Sequence, residues 1–324
     1  MTPTQPTVDA VAIGRNEGQR LIHCLDSLKA AGLRHIVYVD SGSTDGSVAE
    51  AEARGAIVVR LDMTRPFTAA RARNAGVEAL PQGADAPDYI QFIDGDCTLE
   101  ANWVPLAARF LDDNPIVAAT CGRLREIAPE ASIYNRMIDH EWDTPLGQTR
   151  ACGGIAMMRR APFQEAGGFR PDLIAGEEPE LCVRLRQAGW QIWRLDAEMA
   201  RHDAAIHRFG QWWRRRRRTG YAYAEGVALH GAPPERHNVA QMRRSIAWGL
   251  VLPVVALLGA VLIHPIFLLL LLAWPAQILR LSRRDGDLTH AVFLTLGKIP
   301  EAFGVVEYWF RRLSGRNGRL IEYK

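Results

Sequence analysis

The sequence predicts an α/β protein with a mostly parallel sheet and flanking helices, followed by an apolar helical hairpin and an interfacial amphipathic helix. Three observations carry this. From residue 8 to about 196, apolar strand-like runs alternate with amphipathic helical stretches, the pattern of a parallel sheet with crossover helices. Polar clusters recur where those runs end, at Asn16-Glu17, Asp40 and Asp94-Gly95-Asp96; in such sheets ligands bind beyond the carboxyl ends of the strands. Further on, the 34 residues 246–279 contain no Asp, Glu, Lys or Arg.

Residues 8–13 are the first apolar run, followed by the polar turn Gly14-Arg15-Asn16-Glu17-Gly18. Residues 19–31 place Leu21, Cys24, Leu25 and Leu28 at helical spacing, and Gly32 stops the helix. The run 35–39 ends at Asp40-Ser41-Gly42-Ser43, after which Thr44 or Asp45 caps a helix to about residue 54. Residues 56–61 read as a third strand, 68–80 as a third helix, and 89–93 as a fourth strand. A further helix is expected over 180–188, with Glu180 as favourable charge at its start. No G-x-G-x-x-G follows the first strand, which disfavours a dinucleotide site.

Past Trp193 the character changes. Residues 209–220 are rich in Trp and Arg, and Gly231-Ala232-Pro233-Pro234 reads as a linker, giving expected domains of 1–230 and 231–324. The uncharged run exceeds the roughly 20 residues of one membrane span, and Pro265, after His264, is its natural break. Arg243 and Arg244 flank one end, and Arg280, Arg283 and Arg284 the other. That charge placement favours a hairpin with both ends cytoplasmic, while the short turn keeps a re-entrant loop open as an alternative. Residues 289–312 mix Phe293, Phe303, Val306, Trp309 and Phe310 with charged residues, as in a helix lying at a membrane interface.

A chain of 324 residues suffices for one large domain with an appendage. Its net charge is only +3, and the arginines at 214–218 account for much of the excess, which argues against a nucleic-acid-binding surface. Five cysteines, odd in number and without a C-x-x-C pair, suggest neither a disulfide framework nor a zinc site. They read as reduced thiols of a cytosolic compartment. Residues 1–9 are polar and lack the apolar core of a signal peptide. The N-terminal domain is therefore expected on the cytoplasmic face of the inner membrane.

Asp94-Gly95-Asp96 can bring two carboxylates to one hard cation, which neutralises a diphosphate. Alone such a motif is a weak signal, because Asp and Gly cluster in ordinary turns. Its place on the polar rim strengthens it.

In order along the chain, Asn16-Glu17, Val39-Asp40-Ser41-Gly42-Ser43-Thr44-Asp45-Gly46 and Ala72-Arg73-Asn74-Ala75-Gly76 resemble family 2 glycosyltransferases. Asp94-Gly95-Asp96, Gly167-Gly168-Phe169 and Gly176-Glu177-Glu178-Pro179-Glu180-Leu181 continue the resemblance, which covers about residues 8–225. It implies a GT-A fold, a nucleotide-diphosphate sugar donor, Mg or Mn, and usually inversion at the anomeric carbon.

The resemblance further implies that Glu17 and Asp40, with Asn16 beside them, contact the nucleoside, and that Arg73 helps hold the nucleotide. Asp94, with Gly95, would face the ribose or diphosphate, and Asp96 would bind the metal with support from Asp94. Family members often have two acidic residues after the second strand; here Ser41 follows Asp40. Glu177-Glu178 stands where the family usually has Glu-Asp, so Glu178 is expected as the general base, with Glu177 able to exchange roles. Gly153-Gly154 resembles the acceptor-side turn, and His202 is expected as a diphosphate or metal contact. Asp45 reads as a helix cap.

Gln211-Trp212-Trp213-Arg214-Arg215 resembles the Q-x-x-R-W motif of processive synthases, but Arg215 replaces the final Trp, so non-processive transfer is expected. Arg214 to Arg218, beside Trp212, would bind a diphosphate or anionic headgroups. The expected reaction moves one hexosyl or N-acetylhexosaminyl group to a lipid-linked acceptor, a polyprenyl-diphosphate-linked glycan in cell-surface polysaccharide synthesis. Two alternatives stand beside it. A nucleotidyltransferase acting on a sugar phosphate is disfavoured because residues 14–18 contain no Lys. A catalytically silent, membrane-tethered nucleotide-sugar-binding subunit is opposed by the presence of Asp94, Asp96 and Glu178.

Overall fold

The computed structural model describes residues 6–315 and divides into two compact units, Met1–His207 and Arg208–Lys324. Of the polar stretch at 1–9, residues 1–5 lie outside the described residues.

In the first unit, β1 (Val8–Gly14), β2 (Ile36–Asp40), β3 (Ile57–Arg60) and β4 (Tyr89–Asp94) run parallel. They are joined through α1 (Gln19–Ala30), α2 (Ser47–Ala53) and α3 (Ala69–Ala79). These are the strands and helices expected from the sequence. Residues 8–13 of β1 are all buried, as in a parallel strand covered on both faces; the one charge among them, Asp9, is held by Arg34 at 3.1 Å.

Beyond β4 the sheet becomes mixed. It continues through β5 (Cys97–Leu99), α4 (Trp103–Asp113), β6 (Val117–Glu126), α5 (Ile133–Glu141) and β7 (Gly147–Thr149). β8 (Ala156–Arg159), α6 (Arg160–Glu165), α7 (Glu177–Gln187) and β9 (Gln191–His202) complete the unit. The spatial order is β3-β2-β1-β4-β8-β6-β9-β5, with β7 paired to β9. One face is covered by a cluster that includes Leu21, Leu25, Trp103 and Met157. The other is covered by Phe92, Phe163, Phe169 and Leu181 among others.

The register aligns Gly14 with Asp40 and Ile13 with Asp94, so the loops after β1, β2 and β4 share one rim. One helix differs from expectation. α7 begins at Glu177 rather than Glu180. Gly176 takes the left-handed conformation (φ 82°), which the missing Cβ permits. Glu177, Glu178 and Glu180 thus all fall in the first turn, where the helix dipole favours them. Glu180 is also held by Arg184 at 2.7 Å.

The border expected at residue 230 lies at His207 instead, because α8 (Phe209–His230) finds its packing partners in the C-terminal part of the chain. Arg216 of α8 pairs with Glu301, a fully buried carboxylate that also receives Ser245 Oγ at 2.5 Å and Lys298 Nζ at 2.7 Å. A Cβ at Gly220 would lie 2.0 Å from the Glu301 carbonyl oxygen, and one at Gly304 would lie 2.0 Å from that of Arg217. The two backbones meet through paired glycines.

α9 (Val239–Leu262) and α10 (Pro265–Asp285), of 24 and 21 residues, are long and apolar enough to cross a membrane. The chain breaks between them at His264-Pro265, as expected, and His264 Nδ1 accepts the Ile266 N–H at 3.1 Å. They form an antiparallel hairpin. Gly259 lies against Phe267 near the turn, and further along Trp274 Nε1 donates to the Trp248 carbonyl at 3.3 Å.

The helix expected over 289–312 is two helices, α11 (Leu288–Leu296) and α12 (Lys298–Leu313). Pro300 explains the break, since it has no N–H for the Leu296 carbonyl and its ring would clash there.

Candidate active site

Two loops on the rim, those after β1 and β2, are tied together by side chains. Asn16, at a left-handed φ of 55°, accepts the Thr44 N–H on Oδ1 at 2.7 Å, and its own N–H donates to Ser43 Oγ at 2.9 Å. Asp40 is buried; its Oδ2 accepts the N–H groups of Gly42 and Ser43, each at 3.0 Å, and Tyr38 Oη donates to Oδ1 at 3.3 Å. Asp40 therefore organises its own turn. Asp45 accepts the Ser47 N–H at the head of α2 (2.9 Å) and the Gly18 N–H (3.2 Å). Its bonds to Ser47 lead in holding that carboxyl below the ordinary range. Glu17 pairs with Arg20 at 2.7 Å.

Gly95 is required by proximity. Its N–H donates to the Ile13 carbonyl at 2.8 Å, and a Cβ there would lie 3.2 Å from that oxygen.

Arg73 sits on the buried face of α3, whose start is capped by Thr68 accepting the Arg71 N–H at 3.1 Å. From there it donates one terminal nitrogen to Asp94 Oδ1 at 2.7 Å and the other to Glu177 Oε1. Asp94 is 37% exposed and Glu177 12%, whereas Arg73 is 3%. The charge is thus buried behind two carboxylates, of which Asp94 is the one that reaches toward solvent. Gly154, at φ 88°, packs against the same guanidinium, and a Cβ there would lie 3.2 Å from its nitrogen.

Glu178 points the other way. Its Oε1 accepts the Cys152 N–H at 2.9 Å, its Oε2 accepts the Gly153 N–H at 2.8 Å, and Cys182 Sγ donates to Oε1 at 2.9 Å. Adjacent residues in one helical turn thus serve two sides of the site: Glu177 the Arg73–Asp94 side, Glu178 the Gly153-Gly154 turn. Burial pushes the Cys182 thiol well above its ordinary range.

Asp96 meets His202 because β5 pairs antiparallel with the end of β9, placing Cys97 opposite His202. His202 Nε2 lies 3.3 Å from Asp96 Oδ2, and the ring of Trp142 packs edge-on at 4.9 Å. Asp96, Cys97 and His202 bring ligand atoms within 4.8 Å of one another. The structure therefore gathers Asn16, Glu17, Asp40, Arg73, Asp94, Gly95, Asp96, Gly153, Gly154, Glu177, Glu178 and His202 into the first unit. Trp212, Arg214 and Arg218 lie on α8 of the second. There Trp212 is buried edge-on against Phe293 at 5.2 Å, and Arg214 is exposed.

Sequence reasoning missed two participants. Cys97 was visible only as the neighbour of Asp96. Glu126, at the end of β6, accepts the Ala204 N–H at 3.0 Å and the Asn135 Nδ2 at 3.2 Å, fixing the chain just past His202. Burial pushes its carboxyl up, and no local motif marks it.

Residues 11–167 match the family described as Glycosyl transferase family 2. A pre-mycofactocin glycosyltransferase of Mycobacterium tuberculosis is 27% identical over 218 residues, 62% of this chain. The match spans 43% of that relative's length. Among solved structures, the mannosyltransferase PcManGT of Pyrobaculum calidifontis, in complex with GDP-Man and Mn2+, superposes with a TM-score of 0.68 at 18% identity. That alignment covers 96% of this chain and 89% of the other. A mycobacterial protein superposes with a TM-score of 0.52 at 17% identity, over 70% of this chain and 76% of its own. Both are likenesses of fold.

Proposed function

The N-terminal unit belongs to glycosyl transferase family 2, and from that premise we propose that it transfers one sugar, with inversion, from a nucleotide-diphosphate donor to a lipid-linked acceptor. The observation that carries this is the Arg73 bridge between Asp94 and Glu177, with Glu178 turned to the glycine turn beside it.

In the proposed reaction the acceptor hydroxyl oxygen attacks the anomeric carbon. The bond from that carbon to the diphosphate oxygen breaks, and the nucleoside diphosphate leaves with the bonding pair. Glu178 takes the hydroxyl proton as attack proceeds. Its hold on Cys152 and Gly153 supports an acceptor-side role for it, and Glu177 acts through Arg73 on the donor side. Asn16, Glu17 and Asp40 shape the nucleoside end of the rim.

Asp96 offers a carboxylate, the donor that suits Mn or Mg, with the His202 imidazole beside it, and these are the residues that would hold the ion. When bound, it neutralises the charge of the leaving diphosphate.

The hairpin of α9 and α10 supports attachment to the inner membrane with the N-terminal unit in the cytoplasm. Arg243 and Arg244 near the start of the first span and Arg283 and Arg284 at the end of the second fit both ends on that side. An acceptor in the same bilayer gains effective concentration from this confinement. A polyprenyl-diphosphate-linked glycan is such an acceptor.

The test is donor turnover by the full chain across a panel of UDP- and GDP-sugars with Mn2+, in the presence and absence of polyprenyl-linked acceptors. Turnover that survives Asp96→Ala and Glu178→Ala unchanged overturns the assignment.

A further inference from the structure

The second unit carries an open groove of about 550 Å³ between α8 and α12, lined by Trp213 and Arg217 from the first and Phe303, Glu307, Phe310 and Arg311 from the second. Three observations define what fits it.

The first is depth. The start of α12 lies against Gly249 of the apolar helix α9, where a Cβ would sit 1.9 Å from the Lys298 carbonyl oxygen. Gly249 follows Arg243 and Arg244 by little more than one turn, so α12 leaves the hairpin where the apolar segment begins. The second is polarity. α12 buries Pro300, Ala302, Val305 and Tyr308. Its other face exposes Phe303 (52%), Phe310 (62%) and Leu313 (84%), a stripe that water alone would not favour. The third is charge. Glu307 lies between Arg217, at 2.6 Å, and Arg311, at 3.0 Å, so two guanidiniums flank one carboxylate along the wall.

An aromatic and aliphatic floor beside two guanidiniums, on a helix whose start lies against the head of the apolar hairpin, matches an anionic amphiphile with its phosphate outward and its chain inward. We propose that this groove is a binding site for an anionic phospholipid of the bilayer. Its phosphate lies against Arg217 and Arg311, and the first part of its acyl chain follows Phe303 and Phe310. Trp213, 6.2 Å from Phe303 between ring centres, adds a third ring to that apolar floor. The proposal rests on the membrane attachment put forward above.

The test uses the full chain purified in non-ionic detergent with a mixture of phosphatidylcholine and phosphatidylglycerol, reading retained lipid by native mass spectrometry. The wild type is expected to retain phosphatidylglycerol in preference to phosphatidylcholine. Arg217→Gln and Arg311→Gln should each lower that preference about fivefold. Phe310→Ser, at an exposed position, should lower retention without changing the far-UV circular dichroism. Equal preference in wild type and the double Gln variant overturns the site.

Flotation with phosphatidylcholine vesicles separates the two failures. A wild type that does not float overturns the membrane reading and this proposal together. One that floats but shows no preference for phosphatidylglycerol overturns the groove alone. A preference abolished by free glycerol phosphate also overturns it, since the site would then read a soluble phosphate and not a lipid.

Discussion

Asp94 and Glu177, which lie far apart in sequence and on different elements, are held by the same buried guanidinium. One cation thereby sets the spacing between the carboxylate that ends β4 and the one that begins α7. Removing it would leave two acidic groups facing each other across a half-buried gap.

Arg73→Ala is accordingly expected to destabilise the chain by roughly 3–5 kcal/mol, the cost of breaking a buried pair from one side. Arg73→Lys keeps the charge, but a single ammonium cannot reproduce the planar fork. It should lower kcat/KM for the donor by on the order of tenfold. Urea unfolding and steady-state kinetics check both, and an unchanged midpoint for the Ala variant would refute the structural half.

Glu178 separates a chemical role from a positioning one. Gln can still accept one of the two backbone N–H bonds, so Glu178→Gln preserves part of the turn while losing the basic lone pair. A kcat drop of about 10²–10⁴ with little change in acceptor KM is expected of a general base. Near-normal kcat, with an altered KM, would assign it to holding the turn alone.

Metal dependence can be read without turnover. Titration of Mn2+ followed by electron paramagnetic resonance should give weaker binding for His202→Ala, by roughly 10–100-fold, and weaker still for Asp96→Asn. Dialysis against EDTA should abolish transfer, and Mn2+ should restore it. Identical Mn2+ titrations for wild type and both variants would count against the pair.

The buried thiols make stability fall at alkaline pH. Burial pushes Cys24 and Cys182 up, and a hydrogen bond with Cys121, reinforced by burial, does so for Cys152. Each group keeps its proton in the folded state at a pH where the unfolded chain releases it. The folded state then binds more protons, so stability declines as pH rises above about 8.5. Urea midpoints near neutrality and at about pH 9.5, compared with a Cys24→Ala, Cys182→Ala variant, test this. A slope that the double variant leaves untouched would contradict it.

Gly304→Ala probes the second unit. Its Cβ would meet the Arg217 carbonyl at 2.0 Å, with backbone on both sides and no flexible side chain to yield. A loss of roughly 1–3 kcal/mol or more is expected, seen as a lower melting temperature of the full chain in detergent.

Much of this was legible in the sequence, for identifiable reasons. β1 to β4 are largely apolar runs, broken inside only by Asp9 and Gln91, with polar loops at their ends, and both features are local. The break at His264-Pro265 was legible because proline removes a donor regardless of context. What escaped was settled by distant partners. The start of α7 depends on Gly176 adopting a positive φ. The allegiance of α8 depends on Glu301 and Gly304, which no motif connects to Arg216 or Gly220. Asp45 was expected to cap α2, yet the cap position is Gly46; Asp45, like Asp40, instead closes a turn on the N–H two residues ahead, because acidic residues in one polar loop look alike until backbone amides choose between them.

The pairing of β5 with β9 has a temporal meaning. Asp96 is synthesised early, in the turn between β4 and β5, whereas His202 arrives with the last strand, which inserts between β6 and β5. A nascent chain, or one truncated before β9, holds one partner without the other. Whatever the pair binds is therefore withheld until the sheet is complete, so occupancy there would certify a finished domain.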